Sequence, residues 1–128
     1  MQTRRLFLRL FGALPLAGIG TARAAPPRAP VLVLRTRVMG AAYYDAHESM
    51  ETLAPGALLP MRREPDNAYD IRAIELFDAQ GRKLGYVARI DNPAIARMMD
   101  AGETFAARVS RLNADTLDIS VDVHWVPR

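Results

Sequence analysis

From Val31 onward, apolar and polar residues alternate along much of the chain, which is the pattern of half-buried β-strands. The alternation is clearest near the end, where every second residue is apolar: Leu117, Ile119, Val121, Val123 and Trp125. A strand of this kind packs one face against a core and leaves the other in water. The pattern therefore predicts a mainly β domain.

Six segments carry the strand pattern: Val31–Met39, Ala57–Arg63, Ile71–Phe77, Arg82–Val87, Thr104–Leu112 and Thr116–Val126. One short helix is predicted over Pro93–Asp100, with Asn92 as its N-cap and Gly102 at its end. Five to six short strands are too few to form two covered sheets. We therefore expect a small, partly open β-barrel with one α-helix.

The first 24 residues have the composition of an export signal. Residues 3–9, Thr-Arg-Arg-Leu-Phe-Leu-Arg, resemble the twin-arginine (Tat) consensus, with Arg4 and Arg5 as the pair. The apolar run that follows is shorter than the roughly 20 residues a spanning helix needs, so we expect no stable membrane span. The sequence predicts a twin-arginine signal peptide over residues 1–24.

A small-x-small site ends this segment and predicts cleavage between Ala24 and Ala25. Residues 25–30 form a Pro-rich leader of extended character, and the domain proper occupies residues 31–128. Because the twin-arginine route carries folded proteins, the expected location is the periplasm or the exterior of the cell.

Charge limits what the domain can bind. The chain has 17 Lys+Arg and 14 Asp+Glu. Four of the basic residues lie in the first 24 positions, which contain no acid, so residues 25–128 carry 13 basic and 14 acidic groups. A nearly neutral domain lacks the general positive charge used in non-specific nucleic-acid binding, so only a local basic patch could serve that purpose.

The residue types needed for common catalytic sites are missing or badly spaced. There is no cysteine, and the two histidines, His47 and His124, have no metal-ligand spacing. The sequence contains neither a phosphate-binding loop nor a Gly-x-Ser-x-Gly nucleophile motif. We expect a binding module that is not an enzyme and needs no metal or cofactor.

The most specific motif lies in the middle of the chain. Residues 63–74 read Arg-Glu-Pro-Asp-Asn-Ala-Tyr-Asp-Ile-Arg-Ala-Ile, and residues 85–89 read Gly-Tyr-Val-Ala-Arg. An aromatic pair, Tyr43-Tyr44, precedes them, and Asp-Ala-Gly at 100–102 follows. In this order the motifs resemble the HIRAN domain family, whose usual forms are R-E-P-x-N-P-Y-D-x-x-A-I and G-Y-V-x-R.

This resemblance implies a modified OB-like barrel, found alone in bacteria or fused to helicases and nucleases. In helicase-linked members the domain holds the 3′-hydroxyl end of single-stranded DNA. The positions of this chain that match the nucleic-acid-binding residues are Tyr43, Tyr44, Asn67, Tyr69, Asp70, Tyr86 and Arg89.

Each implied role fits the chemistry of its side chain. Asp70 would accept a hydrogen bond from a free 3′-hydroxyl and repel a 3′-phosphate. Asn67 would donate to a phosphate or a base edge, and Tyr86 and Arg89 would hold the backbone. An aromatic ring offers a terminal base a stacking surface worth about 1–3 kcal/mol, the role implied for Tyr43, Tyr44 and Tyr69.

Other observations keep a second function open. Ala42 stands where DNA-end-binding members have a basic residue, and Ala68 replaces the usual Pro. Asn67 and Asp70 lie in a turn, where such side chains most often accept hydrogen bonds from backbone amides. With the nearly neutral charge and the predicted export, the alternative is an exported interaction module. It would bind a peptide, a glycan or an envelope protein in a groove rimmed by Tyr43, Tyr44, Tyr69 and Arg89.

Overall fold

The computed structural model describes Gly20 and residues 25–128. The predicted signal motif, with Arg4 and Arg5, and the residue before the predicted cut, Ala24, lie outside the described residues. Residues 25–30 are exposed and form neither helix nor strand. Among the described residues, no helix has the length and apolar character needed to cross a membrane.

The domain is built from antiparallel strands, with one helix longer than four residues. The elements are β1 Val31–Met39, α1 Ala46–Ser49, β2 Leu58–Leu59, β3 Met61–Arg63, β4 Ile74–Phe77, β5 Lys83–Val87, α2 Asn92–Asp100, β6 Thr104–Asn113 and β7 Asp118–Val126. The strands form one sheet in the order β2-β6-β7-β1-β5-β4-β3. This nearly closed barrel is the mainly β, OB-like fold that the sequence predicts.

The predicted strand count is too low because Pro60 divides one predicted strand into two. Leu58 and Leu59 pair with β6, whereas Met61–Arg63 pair with β4. Proline cannot donate a backbone hydrogen bond, and the carbonyl of Pro60 accepts one from the amide of Phe77 at 3.0 Å. The segment Ala57–Arg63 therefore forms the strands at both ends of the sheet, β2 and β3, and the domain has seven strands.

The core fills the interior of this curved sheet. Its largest fully buried apolar side chains come from β2, β4, β5 and β7, and Ile95 of α2 belongs to the same core. The fully buried apolar side chains are Leu59, Ile74, Leu76, Leu84, Val87, Ile119, Val121 and Val123. The first buried residue of this core in the described chain is Val38, and Leu34 is partly buried against it.

The predicted strand Ile71–Phe77 begins too early. β4 begins at Ile74, and Ile71 is 68% exposed, because Arg63 holds the preceding loop in place. Its guanidinium donates to the carbonyl oxygens of Ile71 at 2.8 Å and Ala73 at 2.5 Å. It also pairs with Asp100 at 2.9 Å, so this arginine joins the loop to the end of α2.

The start of α2 also differs from the prediction. Asp91 occupies the N-cap position, and Asn92 is the first residue of the helix, with its side chain turned to another use described below. The predicted end is confirmed, since Gly102 adopts a φ of 92° and its amide donates to the carbonyl of Met99. A positive φ at this place is the conformation that favours glycine after a helix.

Candidate functional site

The loop between β3 and β4, the end of β5 and the residues that follow β1 surround an open cavity of about 240 Å³. We call it the Tyr69 pocket. It is lined by Met39, Tyr44, Asn67, Tyr69, Asp70, Ala73, Tyr86, Val87 and Arg89. Six of the seven side chains implied by the family resemblance therefore lie around one cavity.

Tyr43, the seventh, lies outside this pocket. It follows β1 in a short 3-10 turn and is 87% exposed. It lines a neighbouring concavity of about 330 Å³ together with Arg37 and Met39. Met39 lines both cavities, so the two are adjacent.

Asn67 organises the loop that carries the pocket. Its Oδ1 accepts hydrogen bonds from the amides of Tyr69 at 2.8 Å and Asp70 at 2.9 Å. Its Nδ2 donates to Glu64 at 3.0 Å and to the hydroxyl of Tyr86 at 3.4 Å. Both amide hydrogens thus have protein partners, so Asn67 acts here as the turn-forming residue that the sequence offered as its other role.

Asp70 is held as an ionised acceptor. Its Oδ2 accepts from Nδ2 of Asn92 at 2.8 Å, and its Oδ1 accepts from the amide of Arg72 at 2.9 Å. Burial acts to raise the pKa of this carboxyl, but the hydrogen bonds from Asn92 and Arg72 and the charge of Arg89 outweigh it and lower the pKa. The carboxylate can therefore accept from a hydroxyl and repel a phosphate monoester at neutral pH.

The surface of the pocket combines aromatic rings with a positive charge. Tyr69 is 87% exposed and Tyr44 is 37% exposed, although both are large apolar side chains. Arg89 is exposed and has no carboxylate partner among residues 25–128. Exposed rings beside a cation without a counter-ion are suited to a ligand that has a flat ring and a negative charge.

Lys83 is a residue of the site that the sequence does not reveal. Its Nζ lies 4.3 Å from the ring centre of Tyr44 and 4.2 Å from that of Tyr86. The two rings meet edge to face, with centres 5.8 Å apart. DNA-end-binding members have a basic residue at the position that is Ala42 in this chain. The fold instead brings the positive charge of Lys83, on β5, close to the ring of Tyr44.

Lys83 is also the centre of a charged network behind the pocket. It donates to the hydroxyl of Tyr86 at 2.6 Å and lies 3.3 Å from Glu75 and 3.7 Å from Glu64. Burial acts to lower the pKa of Lys83, yet its hydrogen bonds to Tyr86 and Glu75 outweigh burial and raise the pKa to about 12. The ammonium group of Lys83 therefore stays charged, and it contacts both the hydroxyl and the ring of Tyr86.

Gly85 explains why the second motif starts with glycine. Its φ is 149°, and a Cβ at this position would collide with the carbonyl oxygen of Met39. The absence of a side chain lets β5 approach β1 closely, where Tyr86 pairs with Met39. The glycine thus brings two residues of the pocket wall together.

The described residues hold no cluster of three or more His, Asp or Glu side chains that could bind a metal ion. Asp45, Glu48 and Glu51, the acids around α1, are exposed. The Tyr69 pocket presents aromatic rings, a carboxylate and a guanidinium group.

Comparison with known families agrees with this geometry. The model of the HIRAN domain matches residues 31–126, which include every strand and every residue of the pocket. The chain belongs to the HIRAN domain family. Two solved structures are similar to it along most of their length, and no curated protein matches its sequence.

The first is a crystal structure of a protein from Lactobacillus plantarum, 30% identical, with a TM-score of 0.74, covering 78% of this chain and 98% of that one. The second is the HIRAN domain of human HLTF, 23% identical, with a TM-score of 0.63, covering 75% of this chain and 78% of that one. The likeness to the HLTF domain concerns the fold alone.

Proposed function

We propose that this HIRAN domain is a non-catalytic nucleic-acid-binding module whose Tyr69 pocket holds the 3′-hydroxyl end of single-stranded DNA. The observation that carries the proposal is the position of an ionised carboxylate, Asp70, in a pocket that also has exposed rings and Arg89. Membership of the HIRAN family supports nucleic-acid binding in general. The preference for an end rests on the pocket.

Different side chains of the pocket recognise the base, the hydroxyl and the phosphate at the end of a strand. A terminal base stacks on Tyr69 or Tyr44, each of which is exposed enough to receive it. Asp70 accepts the hydrogen bond of the 3′-hydroxyl and disfavours a 3′-phosphate by charge repulsion. Arg89 holds the next phosphate of the strand. None of these contacts reads a base edge, so little sequence preference is expected.

The test is fluorescence-anisotropy binding of residues 25–128 to a labelled single strand that ends in a 3′-hydroxyl, and to the same strand ending in a 3′-phosphate. We expect tighter binding to the hydroxyl end. Tyr69→Ala should weaken binding to both strands, because it removes a stacking surface worth about 1–3 kcal/mol. Asp70→Asn should reduce the preference for the hydroxyl end, because it removes the repulsion.

Leu58→Ala is a suitable control, because Leu58 is half exposed and lies on β2, away from the pocket. Equal binding to both ends by the wild-type domain would contradict recognition of the hydroxyl. Binding of a peptide, glycan or envelope protein that Tyr69→Ala abolishes, with no binding of DNA, would favour the other function considered from the sequence.

We also propose that the domain acts outside the cytoplasm after twin-arginine export. The support for this is the ordered signal in residues 1–24, with the arginine pair and the small residues around the predicted cut. Exported in this way, the domain would meet DNA that is extracellular or entering the cell.

A further inference from the structure

A second basic surface lies on the outer face of β1, β7 and β6, outside the Tyr69 pocket. Strand pairing places Ser120 of β7 between Arg37 of β1 and Arg111 of β6. Because neighbouring strands lie about 4.8 Å apart, the two arginines flank the serine with their Cα atoms about 10 Å from each other. This row has two guanidinium groups around one hydroxyl.

A second row lies two residues further along β1 and β7, about 7 Å away, and three residues along β6, where the strand has a bulge. Here Asp122 of β7 stands between Arg35 and Arg108. Asp122 lies 3.8 Å from Arg35 and offsets part of its charge, and Arg108 donates to the carbonyl oxygen of Gly56. The first row is therefore the more positive of the two.

The arginines of the first row have no direct ion-pair partner in the described part of the chain. Among residues 25–128, neither Arg37 nor Arg111 forms an ion pair. The concave surface around them has a volume of about 440 Å³ and also includes Ser120 and Asn113, which bring further hydrogen-bonding groups, and one acid, Asp118. The carboxylate of Asp118 accepts a hydrogen bond from the hydroxyl of Thr116 at 2.7 Å and forms no ion pair with either arginine. In a domain with 13 basic and 14 acidic groups, this is a local patch of the kind that the overall charge hides.

The patch is continuous with the Tyr69 pocket. Met39, Arg37 and Arg35 alternate along β1 and share its outer face. Met39 lines the Tyr69 pocket, and with Arg37 and Tyr43 it lines the adjacent concavity. Arg37 in turn lines the cavity that contains Arg111. A path therefore runs from the pocket, past the exposed ring of Tyr43, to the arginine rows.

We propose that this path, the β1 track, binds the phosphodiester backbone of the single strand whose end lies in the Tyr69 pocket. Arg37 and Arg111 hold phosphates, with Ser120 as an additional donor, because guanidinium groups bind phosphate oxygens in a bidentate way. Tyr43 stacks on a base between the pocket and the arginines. With the 3′ end in the pocket, the track holds nucleotides on its 5′ side.

The assignment gives Tyr43 a role that its position outside the pocket would otherwise leave unexplained. It also separates two kinds of recognition, since the pocket reads the end of a strand and the track reads length and charge. The proposal rests on the proposed function only in the placement of the strand's end.

Three probes separate the two sites. A short circular single strand has phosphates but no end and reports on the track alone. A 3′-hydroxyl dinucleotide reports on the pocket, and poly-glutamate carries negative charge without phosphates. The variant is Arg37→Gln with Arg111→Gln, and the matched control is Arg28→Gln with Arg97→Gln, which removes the same charge from exposed positions outside the track.

We expect the wild-type domain to bind the circular strand. The double track variant should bind it about 25-fold more weakly at about 0.1 M salt, because each of the two lost phosphate contacts contributes about 0.7 to the slope of log K against log salt. The slope of log K against log salt should fall by about 1.4. The control variant should keep the wild-type slope, and the dinucleotide should bind equally to all three proteins. Tyr43→Ala should weaken binding of the circular strand without changing its salt slope.

Two results would overturn the track: a salt slope that is the same in the track variant and the wild type, or poly-glutamate binding as tight as that of the circular strand. If the dinucleotide shows a hydroxyl preference but the circular strand does not bind, the pocket stands and the track falls. If the circular strand binds through Arg37 and Arg111 but no end preference exists, the track stands and end recognition falls.

Discussion

The side-chain amide of Asn92 donates to the carboxylate of Asp70 across 2.8 Å, although the two residues are 22 positions apart. Asn92 is the first residue of α2 and is 1% exposed. The bond ties the start of the helix to the loop that carries the Tyr69 pocket. The start of α2 and the orientation of the pocket carboxylate are therefore linked by this contact.

Replacing Asn92 by Ala should lower both stability and end recognition. The change leaves Oδ2 of Asp70 without its buried donor, at a cost of about 1–3 kcal/mol. It also removes a hydrogen bond that lowers the pKa of Asp70. Urea unfolding should give an earlier midpoint, and anisotropy should give a smaller preference for a 3′-hydroxyl. An unchanged midpoint would show that the bond contributes nothing to folding.

Lys83→Met tests the charge beneath the aromatic rings. Methionine keeps most of the length of the side chain but leaves Glu75, which is 4% exposed, with Arg62 as its remaining cation. We expect the free energy of unfolding to fall by about 1–3 kcal/mol, the cost of removing one of the two cationic partners of a buried carboxylate. The near-ultraviolet circular dichroism of the tyrosines should also change.

Lys83→Arg is the control for that experiment, because it retains the positive charge. It should recover part of the stability that methionine loses. If methionine and arginine have the same effect, packing rather than charge is what Lys83 supplies.

Acid should unfold the domain partly through Asp78. Its carboxylate is 2% exposed and accepts from Ser49 at 2.7 Å and from Arg82 at 2.7 Å. Burial acts to raise its pKa, but these hydrogen bonds outweigh burial and hold the pKa below its ordinary value of 3.8. The stability it contributes is therefore complete above 3.8 and is lost as the pH falls through the lower, folded-state pKa.

The measurement is urea unfolding of the wild type and Asp78→Asn over a range of pH. The variant should be less stable at neutral pH, and the difference should shrink as the pH falls below 3.8. Asp70 and Glu64, whose pKa values are also lowered, give the wild-type curve the same direction. A difference that stays constant with pH would contradict this account of Asp78.

Much of the fold could be predicted because its signals are local. The alternation in β6 and β7 and the proline near the start of α2 each act within a few residues, and those elements are found close to where they were expected. The split at Pro60 was missed, because a short apolar run gives no sign that its two halves pair with different strands.

The site was harder to predict than the fold. Motif matching found the residues that line the pocket, but it missed Lys83, which lies under a ring about forty positions earlier in the chain. Asn92 was missed as a partner of Asp70 for the same reason, since its local setting favours a helix cap. Contacts between residues distant in sequence depend on the register of the barrel, which no local pattern specifies.

Export can be tested directly with the full chain. Cells that have a twin-arginine pathway should release a mature form that begins at Ala25, and Arg4→Lys with Arg5→Lys should leave the uncleaved chain in the cytoplasm. Fractionation followed by mass spectrometry of the intact protein gives both results. A mature form found only in the cytoplasm, or efficient export of the double variant, would contradict the proposed route.

The division of Ala57–Arg63 by Pro60 also affects how the domain meets its neighbours. The outermost strands, β2 and β3, are two and three residues long and are joined through one proline. Short edge strands give an incoming chain few free amides and carbonyls to pair with, and proline offers no amide at all. Addition of an incoming strand at these two outermost edges of the sheet should therefore be disfavoured.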